Sequence, residues 1–192
     1  MRKTGFTIIE LLVAMIISGI LVGIATQTYT LFRKSMNLDQ SRAEIAQNGR
    51  LVTDRLSREL RQTPDVVTIF PASPNDNSVP QPGEIEFQDG NANDLTYRRY
   101  YVVNGTLKLD IKQYTFTYAP NQRVLWNAVG NNGEAPTATV LSTQDVADDM
   151  QSMVFYGDNL LEMIISTGDS YNQTFSLETT VLGRNTPLGR DG

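Results

Sequence analysis

The run FTIIELLVAMIISGILVGIA, from Phe6 to Ala25, contains a single ionisable residue, Glu10. Coiled as a helix that rises about 1.5 Å per residue, it spans about 30 Å, the thickness of the hydrocarbon layer of a bilayer. A carboxylate near the outer end of such a run costs on the order of a few kcal/mol when isolated, so Glu10 calls for a partner. Phe6 lies one turn earlier on the same helix face. A cut between Gly5 and Phe6 would create an α-amine of opposite charge there, available to Glu10 of the same chain or of a neighbouring copy. Arg2 and Lys3 precede the run and place the N-terminus on the cytoplasmic side, with everything after it facing outward.

Gly5-Phe6-Thr7-Ile8-Ile9-Glu10, continued by Leu11-Leu12-Val13, resembles the class III signal of type IV pilins and pseudopilins. The resemblance covers residues 2–25. It implies that a membrane prepilin peptidase removes the leader after Gly5 and that the same enzyme N-methylates Phe6. It also implies that Glu10 guides assembly with other pilin or pseudopilin subunits on an inner-membrane platform. The proline usual at the twenty-second mature position is replaced by Gln27. A secretory signal cut after Gly23-Ile24-Ala25 fits less well, because the apolar core exceeds the usual ~7–15 residues and Glu10 would serve no purpose. A plain anchor, packed through Gly19 and Gly23 as a GxxxG face, is the other alternative.

The 192 residues accommodate this membrane segment and one globular domain large enough for a real core. A net charge of −5 provides no basic stripe for phosphates, which argues against nucleic acid as a partner. Neither cysteine nor histidine occurs, which rules out disulfides, Ser-His and Cys-His nucleophilic pairs and His-ligated zinc. Ser and Thr are plentiful but carry no nucleophile motif, so no catalytic residue and no cofactor is expected.

Helical periodicity continues past the membrane run. Leu38, Ile45, Gly49, Val52, Leu56 and Leu60 form one stripe, with Arg42, Glu44, Arg50, Asp54, Arg55, Arg58 and Glu59 mostly off it. Thr63-Pro64 ends the helix. A rod from Phe6 to about Arg61 would be roughly 80 Å long. Beyond it the pattern turns to strands: Val66–Ile69, Glu84–Gln88, Leu95–Val103, Thr106–Ile111 with Gln113–Tyr118, Thr137–Leu141, Met153–Tyr156, Leu160–Ser166 and Thr174–Leu182. Asn104-Gly105 reads as a type I′ hairpin turn. Asn121–Pro136 reads as turn-rich, and Asp145–Met150 as a helical turn.

The expected architecture is α+β and pilin-like, a long N-terminal helix packed on a C-terminal antiparallel β-sheet domain. Its segments are a leader (1–5), a membrane-spanning and polymerising half-helix (6–25), an amphipathic half-helix (26–62) and a β-rich outward domain (63–192). Three features add resemblance to the larger minor pilins and pseudopilins of the J/W type: Arg55-Leu56-x-Arg58-Glu59-Leu60-Arg61, the hairpin around Asn104-Gly105, and Thr179-Thr180-Val181-Leu182-x-Arg184-Asn185.

Three side-chain groups invite a chemical reading. Asp89, Asn91, Asn93 and Asp94 offer oxygen ligands, but Asp94 and Tyr100 stand where a calcium loop needs Gly and Glu, so no metal site is assigned. Asp145, Asp148 and Asp149 read as a solvated acidic face at a helix N-terminus, with calcium binding or carboxylate catalysis as the alternative. Tyr97, Tyr100, Tyr101, Tyr114, Tyr118 and Trp126 read as sheet packing, with a carbohydrate-binding surface as the alternative. The sequence thus points to a non-enzymatic structural subunit, a minor type IV pilin or pseudopilin precursor. It would be a single-pass membrane protein held in lipid and then built into a pilus or secretion-like filament at the cell surface. The functional alternatives are a membrane-anchored binding module, either a tip adhesin or a DNA or carbohydrate receptor, and an anchored surface enzyme.

Overall fold

A computed structural model describes residues 7–76, 78–91, 94–157, 160–168 and 174–181. The layout is one long N-terminal helix followed by antiparallel sheets, the expected α+β, pilin-like class. Helix α1 (Ile8–Gln62) is followed by strands β1 (Glu84–Gln88), β2 (Tyr97–Val103), β3 (Thr106–Phe116), β4 (Ala119–Val124), β5 (Thr137–Ala147), β6 (Met150–Tyr156), β7 (Leu161–Gly168) and β8 (Thr174–Val181). The chain divides into two compact units, residues 1–41 and 42–192.

The first unit is helical from Ile8 on, and its side chains are exposed from Thr7 to Asn37. Ile8, Leu11, Ile16, Leu21 and Phe32 each present more than half of their surface. α1 is the one helix among the described residues that is long and apolar enough to cross a membrane.

The second unit is organised by the stripe read from the sequence. Ile45, Gly49, Val52, Leu56 and Leu60 are the buried residues of α1. Val52, Leu56 and Leu60 share one core with Ile85, Phe87, Tyr100, Leu107 and Leu109 of the first sheet and with Met153, Phe155, Met163, Ile165 and Val181 of the second. Gly49 is small because Leu177 comes close: a Cβ there would lie 3.2 Å from the Leu177 Cδ1. The Thr167 hydroxyl donates to the Ile45 carbonyl at 3.3 Å and joins β7 to the helix.

The first sheet has the order β1-β2-β3-β4, with β5 also on β3. Residues 106–112 of β3 pair with β2 and residues 114–116 with β4, while 107–115 pair with β5, so β2 and β4 share one edge of β3 and β5 takes the other. β6, β7 and β8 form the second sheet, in that order. The β2–β3 connection is the type I′ turn expected from Asn104-Gly105, with φ of 51° and 81°.

Several sequence expectations are corrected. Val66–Ile69 is not a strand. It makes one bridge, Val66 to Phe87, because the Thr68 side chain, rather than the backbone, accepts the Glu86 N–H at 2.8 Å. Asn121–Pro136 contains part of β4, although Pro120 lies within that strand; a strand that pairs with β3 only at its ends tolerates a residue without an N–H. Asp145–Met150 is not a helical turn. β5 runs on to Ala147, Val146 and Ala147 pack against the core, and Asp149 turns the chain into β6 at a φ of 61°. Leu182, the expected end of the last strand, lies outside the described residues.

Two glycines separate conformational from steric need. Gly157 has a φ of 121°, and a Cβ there would lie 1.8 Å from the Leu160 carbonyl oxygen; Gly105 has open space around it. Gly105→Ala should therefore cost only the left-handed penalty, about 1 kcal/mol. Gly157→Ala should cost about 3 kcal/mol or more, since the backbone itself must move. Urea unfolding of the full chain in detergent, followed by Trp126 fluorescence, should rank the two variants in that order.

Candidate functional site

The candidate site is the first turn of α1. Thr7 stands just ahead of the helix and Glu10 is the acidic residue of its first turn. The Thr7 N–H donates to Glu10 Oε2 at 3.2 Å, and the Thr7 hydroxyl donates to the same oxygen at 3.3 Å. In return, the Glu10 N–H donates to Thr7 Oγ1 at 3.3 Å. This reciprocal arrangement is a capping box: two backbone donors that a helix start leaves unpaired are satisfied by side chains three residues apart. The carboxylate is also well placed for the positive end of the helix dipole.

The sequence reading singled out Glu10 and passed over Thr7. The signal was available, because Thr-x-x-Glu immediately before an apolar run is the N-terminal signature of a helix. The box engages only one carboxylate oxygen. Among the described residues, Glu10 Oε1 has no hydrogen-bond partner. Gly5 and Phe6, the expected cleavage and methylation residues, lie outside the described residues. Among the described residues, no atom lies within 4 Å of a Cβ added at Gly19 or Gly23, so none of them requires glycine there.

The other candidate groups are occupied within the fold. Asp89 accepts from Arg98 at 3.0 Å, Asp94 pairs with Arg123, and Asn93 lies outside the described residues. Asp145 pairs with Lys108 at 2.6 Å, and Asp148 accepts from the Thr106 hydroxyl at 3.1 Å. No group of three or more Asp or Glu side chains is arranged to hold a metal among the described residues. Tyr97 and Tyr100 are buried, while Tyr118 is exposed and stacked on Phe116. Trp126 donates through Nε1 to Asp65 at 2.6 Å. These rings are divided between core and surface and form no common platform for a sugar.

Instead, the tyrosines staple carboxylates. Tyr100 donates to Glu59 Oε2 at 2.7 Å, while Arg98 and Arg55 reach Glu59 Oε1 at 2.8 and 3.1 Å. In the first sheet, Lys112 meets Glu86 at 2.6 Å and the Tyr114 hydroxyl donates to the other Glu86 oxygen at 2.5 Å. Burial, reinforced by a carboxylate that accepts the phenolic proton, pushes the Tyr100 and Tyr114 hydroxyls well above the ordinary tyrosine range.

Residues 1–26 match a protein-family model described as the prokaryotic N-terminal methylation motif. No curated protein and no solved structure matches the chain.

The phenol shifts have a definite sign. A folded state that holds these protons more tightly than the unfolded chain keeps the stabilisation in full below the unfolded pKa of about 10 and loses it as pH rises toward the folded values. The full chain should therefore lose stability above about pH 10. Tyr100→Phe and Tyr114→Phe should each cost about 1–2 kcal/mol at neutral pH and flatten the alkaline loss. Denaturant titrations at neutral and alkaline pH check both effects.

Proposed function

We propose that this chain is a minor type IV pilin or pseudopilin, made as a precursor and built into, or initiating, a pilus or secretion-like filament. The N-terminal methylation motif supports a type IV pilin- or pseudopilin-like precursor, a family of structural subunits rather than enzymes. Together with the apolar helix it fits a membrane-anchored protein. Such a motif implies processing by a prepilin peptidase and assembly with other pilins.

The observation that carries the finer reading is the half-used carboxylate of Glu10. Its Oε2 closes the capping box with Thr7, and its Oε1 has no partner among the described residues. In the proposed mechanism, the peptidase cuts between Gly5 and Phe6 and methylates Phe6. The mature helix then waits in the membrane, cytoplasmic end first. Glu10 receives the Phe6 amine of an adjacent subunit and sets axial register as subunits leave the bilayer, while apolar helix packing supplies most of the cohesion. Residues 1–5 serve as leader, 6–25 as the polymerising membrane segment, 26–62 as the amphipathic continuation and 63–192 as the outward domain. The J/W-type pattern at Arg55–Arg61 favours a place in an initiating or tip complex over the repeating shaft.

Replacing Gly5 with a bulky residue should leave the leader attached, visible as an unshifted intact mass. Thr7→Ala and Glu10→Ala both break the capping box, but only the second removes the acceptor for a neighbour's amine. Thr7→Ala should thus enter filaments, whereas Glu10→Ala should remain folded in the membrane and be absent from sheared filaments. Equal incorporation of the two variants would reduce Glu10 to a helix cap.

A further inference from the structure

We propose that the trough between α1 and the outer edge of β8 is a docking site for an extended acidic segment of a partner protein, which adds to β8 as a fourth strand. β8 is the last strand of its sheet, and all eight of its residues pair with β7 in continuous register. A strand paired on one side directs roughly half of its N–H and C=O groups outward, ready for another chain.

The two comparable edges of the first sheet are guarded. β1 is covered by the segment before it: Val67 N–H donates to the Glu86 carbonyl and Gln88 N–H to the Asp65 carbonyl, both at 2.8 Å. β5 is offset by two register shifts against β3, and such bulges twist an edge away from further pairing. β8 has neither device among the described residues. Its alternation leaves Phe175, Leu177 and Thr179 half-buried and Ser176, Glu178 and Thr180 exposed.

Two cavities lie along the line where α1 and β8 meet. One, of about 400 Å³, has Ala43, Ala46 and Phe175 in its lining. The other, of about 800 Å³, is lined by Thr53, Asp54, Ser57, Arg58, Arg61 and Thr179. The smaller cavity also takes Arg42 and Thr174 into its lining, so the trough is mostly apolar with one arginine at one end and polar with two arginines at the other.

Charge selects the occupant. In a chain of net charge −5, the larger cavity sets two guanidiniums against one carboxylate. Arg58 and Arg61 are exposed and make no ion pair among the described residues, whereas their neighbours Arg55 and Glu59 are held in the sheet network. An extended segment with carboxylates on alternate residues satisfies both demands: its backbone completes the β8 ladder, and its acids reach Arg58 and Arg61. The docking site belongs to the β-sheet unit and does not require that the chain enter a filament.

The test uses the full chain in detergent at low salt and a fluorescent synthetic peptide of alternating Thr and Glu. The peptide should bind, and its counterpart of alternating Thr and Lys should not. Arg58→Glu combined with Arg61→Glu should weaken binding by about tenfold or more. Arg58→Gln with Arg61→Gln, a milder pair, should weaken it in the same direction if charge reversal disturbs the fold. Methylating two adjacent central backbone nitrogens of the peptide blocks both of its edges and should weaken binding to a similar extent. The proposal is overturned if the acidic peptide does not bind, or if it binds equally well after both arginine replacements. It is also overturned if the methylated peptide binds as well as its parent, because charge alone would then account for the contact. Equal binding of a thymidine oligonucleotide would assign the arginines to phosphates and overturn it as well.

Discussion

Burial of one helical stripe holds the β-sheet unit together, because Val52, Leu56 and Leu60 share a single buried core with residues of both sheets. A three-stranded sheet such as β6-β7-β8 has an apolar face it cannot cover alone, and the same holds for the face of β1-β2-β3 that carries Ile85, Tyr100 and Leu109. Placing one helix against both faces satisfies them together. The helix must therefore be apolar along a single stripe, and where a strand comes close it must be small, as at Gly49 against Leu177.

Around that stripe the chain spends its charges inward. Glu59, next to Leu60, accepts from Tyr100, Arg98 and Arg55, so the helix is fixed in rotation as well as in depth. Glu86 is buried with Lys112 and Tyr114, each of its oxygens engaged. A buried pair of this kind adds little net stability over an apolar substitute, but losing one partner leaves an uncompensated charge and costs several kcal/mol. These carboxylates are staples. The same economy accounts for Asp89, Asp94 and Asp145, which suggest ligands in the sequence and are committed to arginine or lysine in the fold.

What the sequence made legible was whatever depends on local period. The helix, its buried stripe, the Asn104-Gly105 hairpin and the alternating strands β1, β7 and β8 follow from spacing and turn chemistry alone. The misreadings share one cause, which is that long-range pairing overrode a local signal. β4 carries Pro120 and polar residues that read as a loop, and it is a strand because β3 extends beyond the end of β2 and offers it an edge. Asp145 to Asp149 has the composition of a helix start, yet register with β3 carries the strand on to Ala147. Val66–Ile69 has strong β propensity but meets β1 where a threonine side chain takes one of the backbone's places. The partner of Glu10 was missed for the opposite reason. It is entirely local, three residues away at Thr7, in the Thr-x-x-Glu spacing of a helix start.

That local partner sharpens the part Glu10 can play. A carboxylate in an apolar segment costs free energy unless hydrogen-bond donors reach it. With two donors from Thr7 on Oε2, part of that cost is already offset, while Oε1 has no partner among the described residues. In the proposed assembly, an amine that approaches Oε1 would meet a side chain already tied to Thr7, with less rotamer freedom left to lose. The capping box and the proposed intersubunit pair are therefore compatible demands on one residue: the first uses Oε2, and the second would use Oε1.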